Sequence, residues 1–320
     1  MRFIRRATLA ALLIALLGQA LLTVRPALAA PLSLYTLDAT VEYDSGIVTA
    51  RETLAFTNES SQTMQTLVFS VTPAYYGAFQ LLLATVSGQE VAAALDKSIL
   101  ELPLPQVLPP GSSVVAALDF KLKIPRRSGR FGKGPQVIAL GNWFPILAIH
   151  RDGRLLSKGQ EAGWVRGQYV EAGDAFFSEA SDFLVTIRTD RPMAVAHTGV
   201  LISQEENTWR FEARRVRDFA LAISPTFATV SQSVEGVNVS VFFLPGHEAA
   251  AATYLRAAAE MLTWMKRTLV PYPYEHLDLA EINAQGSTLV GQEYPNLIFM
   301  SDGMAYGSGG VDSSAGILAL

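Results

Sequence analysis

The sequence TLDATVEYDSGIVTARETLAF, residues 36–56, decides the fold class. Apolar and polar residues alternate along residues 36–43 and again along 48–56, and Asp44-Ser45-Gly46 separates these runs. Alternation with a period of two is typical of a strand with one buried face, and a turn between two such runs indicates a β-hairpin. The stretch therefore predicts antiparallel β-structure near the start of the folded chain.

The same pattern continues to about residue 230. Residues 64–71 and 114–124 alternate in the same way, and turn residues such as Pro109-Pro110-Gly111 punctuate the sequence between them. Helical periodicity is nearly absent over this part of the chain, so its apolar faces must be buried between sheets. We predict an antiparallel β saddle or sandwich domain over residues 31–230.

The pattern changes near residue 233, where strands begin to alternate with a helix. Residues 239–244 are typical of a strand, and residues 248–269 contain neither glycine nor proline. Leu255, Leu262 and Leu269 fall on one face of a helix over that second range. Residues 277–282 form the next apolar run. A strand, a helix and a strand predict the start of a second, α+β domain over residues 231–320, so the fold class is mixed β and α/β.

The first thirty residues have the composition of a signal peptide. Three arginines precede an apolar run over residues 9–24, and Ala27-Leu28-Ala29 supplies small residues where a signal peptidase cleaves. We predict a signal peptide over residues 1–30 and an exported protein that is extracellular, periplasmic or at the cell surface. The alternative is an uncleaved signal anchor, which would be the chain's only link to a membrane.

Charge and cysteine content narrow the possible partners. Half of the 320 residues are hydrophobic and 17% are charged, as in a globular protein. Without residues 1–30 the chain has 21 basic and 29 acidic residues, a net charge of −8, which argues against nucleic acid as a partner. The chain has no cysteine, so its cores rather than disulfides must hold an exported fold together.

The sequence contains no motif for a catalytic zinc site. Its histidines are His150, His197, His247 and His276. The H-E-x-x-H motif places two imidazoles one helical turn apart and a glutamate base beside the metal-bound water. His247 is followed by Glu248, but Ala251 stands where the second imidazole is needed. We therefore expect no metal ligands and no bound zinc in this chain.

Four segments, in their order along the chain, resemble one protein family. Gly141-Asn142-Trp143-Phe144-Pro145 resembles a W-[YF]-P turn, and residues 173–178, with Gly173-Asp174 and Phe176-Phe177-Ser178, resemble an acidic-aromatic turn. Arg217-Asp218-Phe219-Ala220 resembles a V-R-D-F strand, and Val290-Gly291-Gln292-Glu293-Tyr294 resembles a G-x-M-E-N segment. Over roughly residues 35–305 the chain thus resembles the amino-terminal part of the gluzincin aminopeptidases, the membrane alanyl aminopeptidase-like family of zinc metallopeptidases.

The resemblance implies a saddle domain followed by a thermolysin-like domain, with zinc as the cofactor of the full-length family member. In that family the G-x-M-E-N segment holds the free amino terminus of a peptide substrate. This places Gly291, Gln292, Glu293 and Tyr294 at a substrate-binding site, with Glu293 pairing with the substrate's ammonium group. Val290 replaces the leading glycine of the motif, and Gln292 and Tyr294 replace its methionine and asparagine.

Two functions remain open at this point. The family's H-E-x-x-H motif would lie beyond Glu293, and the chain ends at Leu320 without it, on the apolar residues 316–320. This favours the amino-terminal portion of an aminopeptidase-like metallopeptidase, truncated and inactive as this chain. The alternative is a non-catalytic exported β-sandwich protein that binds peptide, carbohydrate or a partner protein.

Glu293, Arg217 and Asp218 also have interpretations in which they take no part in binding or catalysis. Glu293 is then a solvated glutamate in a loop at a strand edge. For Arg217 and Asp218, a partly buried ion pair is favoured over any catalytic role.

Overall fold

The computed structural model describes residues 32–152, 161–170, 177–283 and 291–301. The predicted signal peptide, Gly173, Asp174, Phe176 and the apolar residues 316–320 lie outside these described residues. Among the helices of the described part, none has the length and apolarity that crossing a membrane requires. The described residues belong to one compact unit that starts at Leu32.

The described residues form 23 strands and two helices. In chain order these are β1 (Leu34–Glu42), β2 (Ile47–Thr57), β3 (Met64–Ser70), α1 (Thr72–Tyr75), β4 (Phe79–Val86), β5 (Gln89–Glu90), β6 (Ala94–Asp96), β7 (Ile99–Leu108), β8 (Ser113–Lys123), β9 (Phe131–Lys133), β10 (Ile138–Leu140), β11 (Ile146–Leu147), β12 (His150–Arg151), β13 (Gly163–Trp164), β14 (Ser181–Thr189), β15 (Ala194–His197), β16 (Val200–Glu205), β17 (Thr208–Val216), β18 (Leu221–Ser224), β19 (Ala228–Val234), β20 (Val237–Phe243), α2 (Glu248–Thr268), β21 (His276–Ile282), β22 (Gly291–Tyr294) and β23 (Leu297–Ser301).

The predicted hairpin is confirmed. β1 and β2 pair in antiparallel register from Leu34 opposite Ala55 to Glu42 opposite Ile47. Along β1, every second side chain is buried and the others are exposed, as the alternation predicts. Gly46 closes the connecting turn with φ of 64°, a left-handed conformation that glycine adopts at little cost.

The first part of the chain consists of several sheets around a shared core. An eight-stranded sheet has the order β16-β17-β14-β1-β2-β8-β4-β5, and its neighbours are the four-stranded sheets β15-β18-β10-β9 and β11-β3-β7-β6. Aromatic side chains such as Phe69, Phe120, Trp143 and Phe183 are fully buried in that core. Most pairs are antiparallel, and β1 with β14 is a parallel exception. The predicted fold class is therefore confirmed.

The last part of the described chain is a five-stranded sheet with one long helix. Its order is β19-β20-β21-β23-β22, in which β20, β21 and β23 are mutually parallel and β22 pairs antiparallel with β23. α2 connects the parallel strands β20 and β21 and packs on β19 and β20 through residues such as Ala251 and Leu262. The helix begins and ends within one residue of the predicted range 248–269. The domain boundary at residues 230 and 231 stays a prediction.

Small side chains allow two of these sheets to pack closely. Ala139, Ala196 and Ala222 of the sheet β15-β18-β10-β9 share a buried cluster with Ala280 and Phe299 of the five-stranded sheet. This contact places the edge strand β22 next to the turn at residues 141–145, about 150 positions earlier in the sequence. The candidate functional site lies where these two segments meet.

Candidate functional site

A cleft of about 690 Å³ lies where three segments of the chain meet. One segment is the turn at residues 141–145, the second is the end of β17 with the residues that follow it, and the third is β22. The cleft is lined by Arg130, Asn142, Phe177, Ser178, Ala180, Arg215, Val216, Arg217, Asp218, Tyr274, Gln292, Glu293, Tyr294 and Pro295. Three of the four predicted site residues are among them, whereas Gly291, the first residue of β22, is not.

Glu293 presents its carboxylate to this cleft. It pairs across β22 and β23 with Ile298, and its side chain is exposed while that of the preceding Gln292 is buried. Gln292 Nε2 lies 3.4 Å from a carboxylate oxygen of Glu293 and 3.4 Å from its main-chain oxygen. The amide therefore donates weakly to the carboxylate, which makes no ion pair with a described residue and remains available to a cation from solution.

Tyr294 joins β22 to the turn at residues 141–145. Its ring packs edge-on against Phe299, with 5.0 Å between ring centroids. Its hydroxyl lies against Gly141 so closely that a side chain at Gly141 would collide with it. The hydroxyl is buried and has no hydrogen-bond partner among the described residues, and burial raises the pKa of Tyr294. Tyr294 thus positions the strand that carries Glu293, and its contact with a substrate stays a prediction.

The turn at residues 141–145 is anchored in the core by its aromatic residues. Trp143 and Phe144 are buried, and Trp143 Nε1 donates to the carbonyl oxygen of Phe219 over 3.0 Å. Asn142 has a φ of 52°, which is uncommon for a residue other than glycine and is found often at functional positions. The turn therefore holds Asn142 in a fixed orientation at the cleft.

Asn142 is a candidate that the sequence did not reveal. Its Nδ2 donates to a carboxylate oxygen of the buried Asp218, which also accepts the N–H of Phe219 over 2.7 Å. Burial raises the pKa of Asp218 to about 6, although these hydrogen bonds and the charge of Arg130 act in the opposite direction. Since Nδ2 is committed to Asp218, the amide oxygen of Asn142 is left as an acceptor, and no described residue donates to it. The one feature of the sequence that could have indicated Asn142 is its position directly before the turn residues Trp143-Phe144-Pro145.

The predicted ion pair between Arg217 and Asp218 is wrong. The guanidinium carbon of Arg217 lies 4.3 Å from the ring centroid of Phe177, whereas the carboxylate of Asp218 points inward to Asn142. Successive side chains of extended backbone point to opposite sides, so neighbours in sequence are poorly placed to pair. Asp218 is a structural acceptor, and Arg217 is exposed in the cleft.

A second polar cluster lies at the junction of β15 and β21. Ligand atoms of His197, His276 and Asp278 lie within 4.8 Å of one another. The N–H of His197 donates to Asp278 over 3.1 Å, and Asn296 Nδ2 lies 2.6 Å from His276 Nε2. Burial lowers the pKa of both histidines, that of His197 to about 3, and it raises the pKa of Asp278 to about 7. Each of the three side chains thus has a hydrogen-bond partner within the junction.

The residues of this chain do not fit the zinc site of the family that it resembles. His247 Nδ1 lies 2.7 Å from Glu281 Oε1, and Ala251 packs in the core one turn further along α2. No pair of imidazoles one helical turn apart occurs in the sequence.

No family model matches the sequence, and no curated protein matches it. Solved structures do match. The M1 zinc metallopeptidase from Deinococcus radiodurans has a TM-score of 0.59 at 16% identity, over 85% of this chain and 60% of that chain. A mutant of a two-domain M1 zinc metallopeptidase bound to L-arginine has a TM-score of 0.59 at 15% identity, over 90% of this chain and 63% of that chain. A mutant from Deinococcus radiodurans bound to a Tyr-Ser-Ala substrate has a TM-score of 0.58 at 16% identity, over 84% and 60%.

This chain therefore spans about three fifths of the length of these structures. At such low identity the likeness concerns the fold alone. The chain shares the fold of the matched part of these M1 zinc metallopeptidases.

Proposed function

We propose that this chain is the amino-terminal portion of an exported, zinc-dependent, aminopeptidase-like metallopeptidase, and that it recognises the free amino terminus of a peptide. One observation carries the proposal: the exposed Glu293 and the half-buried Asn142 line the same cleft. Both groups accept hydrogen bonds, and an ammonium group has three N–H donors to offer. A fold shared with zinc metallopeptidases, one of which is bound to Tyr-Ser-Ala, supports a peptide as the ligand.

The two acceptors have different tasks. Glu293 supplies the negative charge, and a charge-assisted hydrogen bond in a sheltered site contributes about 1.5–3 kcal/mol. Asn142 is neutral, and its hydrogen bond to Asp218 fixes its orientation. It therefore favours an ammonium group at one position and adds no charge attraction. A peptide with a blocked amino terminus would lose the charge and most of the donors, and it would leave Glu293 without a partner.

Zinc belongs to this proposal only as the cofactor of a full-length protein. The 320 residues do not contain the family's zinc motif, and we assign no hydrolytic step to them. We propose that the chain as given is inactive and contributes substrate recognition.

Export is part of the same proposal and rests on residues 1–30. Amino-terminal sequencing of the protein recovered outside the cytoplasm would show a new terminus close to Pro31. A terminus at Met1 would favour the uncleaved anchor.

Titration calorimetry on the full chain tests the recognition of the amino terminus. We predict that L-alanyl-L-alanine binds more tightly than its N-acetyl derivative, and that Glu293→Gln removes most of this difference, roughly a tenfold effect. The substitution retains the size of the side chain and removes its charge. Glu90→Gln, at an exposed position on the short strand β5, is the matched control and should change nothing. Equal binding of both peptides to the unmodified chain would contradict recognition of the amino terminus.

A further inference from the structure

The cleft that contains Glu293 also contains two arginines that have no anionic partner among the residues that the structure describes. Arg215 and Arg217 lie at the end of β17 and directly after it, and both are exposed. Neither makes an ion pair with a described residue, whereas the adjacent Arg214 pairs with Glu212 over 2.7 Å. The cleft thus includes two guanidinium groups that form no ion pair with any carboxylate in the described part of the chain.

A β-bulge places Arg215 on the cleft. Arg214 and Arg215 of β17 both stand opposite a single residue of β14, Asp182, where the register of the two strands shifts. The N–H of Arg215 donates to Asp182 Oδ1 over 2.9 Å, and the φ of Arg215 is 55°. A bulge of this kind turns the side chains that follow it, and bulges are frequent beside functional sites. Here it brings Arg215 and Arg217 to the same cleft while Arg214 remains with Glu212.

Phe177 holds the guanidinium of Arg217 in place. The cation lies over the ring at 4.3 Å, and Ser178 Oγ donates to the main-chain oxygen of Arg217 over 2.7 Å. Stacking of this kind fixes the plane of the guanidinium and leaves the N–H donors at its edge free. It also accounts for Phe177, whose aromatic side chain is 58% exposed.

We propose that Arg215 and Arg217 bind a carboxylate of the same short peptide whose amino terminus Glu293 binds. This inference rests on the proposed function and adds a substrate class, short peptides recognised at both charges. The fork of N–H donors on a guanidinium matches the two oxygens of a carboxylate. A volume of about 690 Å³ lies within the range of small-ligand sites and accommodates a dipeptide or tripeptide. The carboxylate is either the free carboxyl terminus or an acidic side chain.

Titration calorimetry on the full chain compares three peptides with a free amino terminus. These are L-alanyl-L-alanine, its carboxyl-terminal amide, and the amide of L-alanyl-L-glutamic acid. We expect at least one carboxylate-bearing peptide to bind roughly tenfold more tightly than alanyl-alanine amide. Arg217→Ala and Arg215→Ala should each reduce this preference, and Arg217→Lys should retain part of it. Arg214→Ala is the matched control, on the same bulge, and should leave the preference unchanged.

Each outcome has a defined meaning. Tighter binding of alanyl-alanine identifies the carboxyl terminus as the ligand, and tighter binding of the glutamyl amide identifies an acidic side chain. Equal binding of all three peptides to the unmodified chain overturns the inference, as does an equal loss in Arg214→Ala and Arg217→Ala. N-acetylated alanyl-alanine separates the two proposals. If acetylation weakens binding and neither the free carboxyl terminus nor the glutamyl side chain strengthens it, recognition of the amino terminus stands and this inference fails.

Discussion

At the scale of one residue, Glu52 is an ionisable side chain buried in the core. It lies on β2, is 1% exposed, and neither of its carboxylate oxygens has a hydrogen-bond partner in the described part of the chain. Burial raises the pKa of Glu52 well above its usual value, so the group holds a proton more tightly in the folded than in the unfolded state. The alternation along β2 places Glu52 on the same buried face as Val48, Ala50 and Leu54.

We predict that Glu52→Met stabilises the protein by about 1–3 kcal/mol at neutral pH, because methionine fills similar space without an unsatisfied polar group. Glu52 is most favourable below its unfolded pKa, near 4.5, and its contribution is lost as the pH rises toward the folded pKa. The gain should therefore be larger at pH 8 than at pH 5. Urea unfolding at both pH values measures it, and a destabilised variant at both would show that Glu52 has a partner.

At the scale of the element, β22 and the turn at residues 141–145 depend on each other through Gly141 and Tyr294. We predict that Gly141→Ala costs about 1–3 kcal/mol, since the added methyl collides with the Tyr294 hydroxyl and ring. It should also weaken binding of alanyl-alanine, because β22 carries Glu293. Gly167→Ala is the control, since no atom lies within 4 Å of the added carbon. Thermal unfolding and calorimetry measure both effects, and equal behaviour of the two variants would show that β22 is not held in this way.

Two groups at the junction of β15 and β21 make the stability of the fold depend on pH in opposite directions. The pKa of Asp278 is raised to about 7, so its contribution to stability is lost as the pH rises from about 4 through 7. The pKa of His197 is lowered to about 3, so the unfolded state binds a proton more readily, and stability falls as the pH drops below about 6.5. We predict that Asp278→Asn, which retains an oxygen for the N–H of His197, removes about 1–3 kcal/mol of the decline above pH 4.

Unfolding of this variant and of the unmodified chain between pH 4 and 8 provides the measurement. Parallel stability curves for the two proteins would show that Asp278 does not titrate in this range. Asp218, whose pKa is raised to about 6, is unchanged in both proteins and serves as the common background.

Elements with local causes could be predicted from the sequence. The hairpin of β1 and β2 follows from alternation and a turn, and α2 follows from helical periodicity without glycine or proline. The parallel pairing of β1 with β14 joins residues about 150 positions apart, and no local pattern encodes it. Glu293 was found through a motif. No motif pointed to Asn142 or Arg215. The position of Asn142 depends on its left-handed conformation in a turn, and that of Arg215 depends on a bulge. The bulge arises from the pairing of β14 with β17, which are distant in sequence.

At the scale of the whole molecule, the charged groups determine what the chain can bind. We predict that purified residues 31–320 bind no stoichiometric zinc and hydrolyse no aminoacyl-anilide substrate, because the sequence has no pair of histidines at metal-binding spacing on a helix. Elemental analysis after dialysis measures the metal content. Tight zinc at one equivalent would contradict this prediction and would direct attention to His197, His276 and Asp278.

The packing of Tyr294 on Gly141 has a consequence for dissecting this protein into fragments. A fragment that starts at residue 231 contains Glu293 but lacks the glycine that Tyr294 rests on, the acceptor Asn142 and both free arginines. Such a fragment would contain the Glu293 carboxylate without the cleft residues that come from the first part of the chain. If the proposed recognition holds, we expect neither half alone to bind a peptide terminus, and a chimera made with half of a relative to bind only where the contact between residues 141 and 294 is kept.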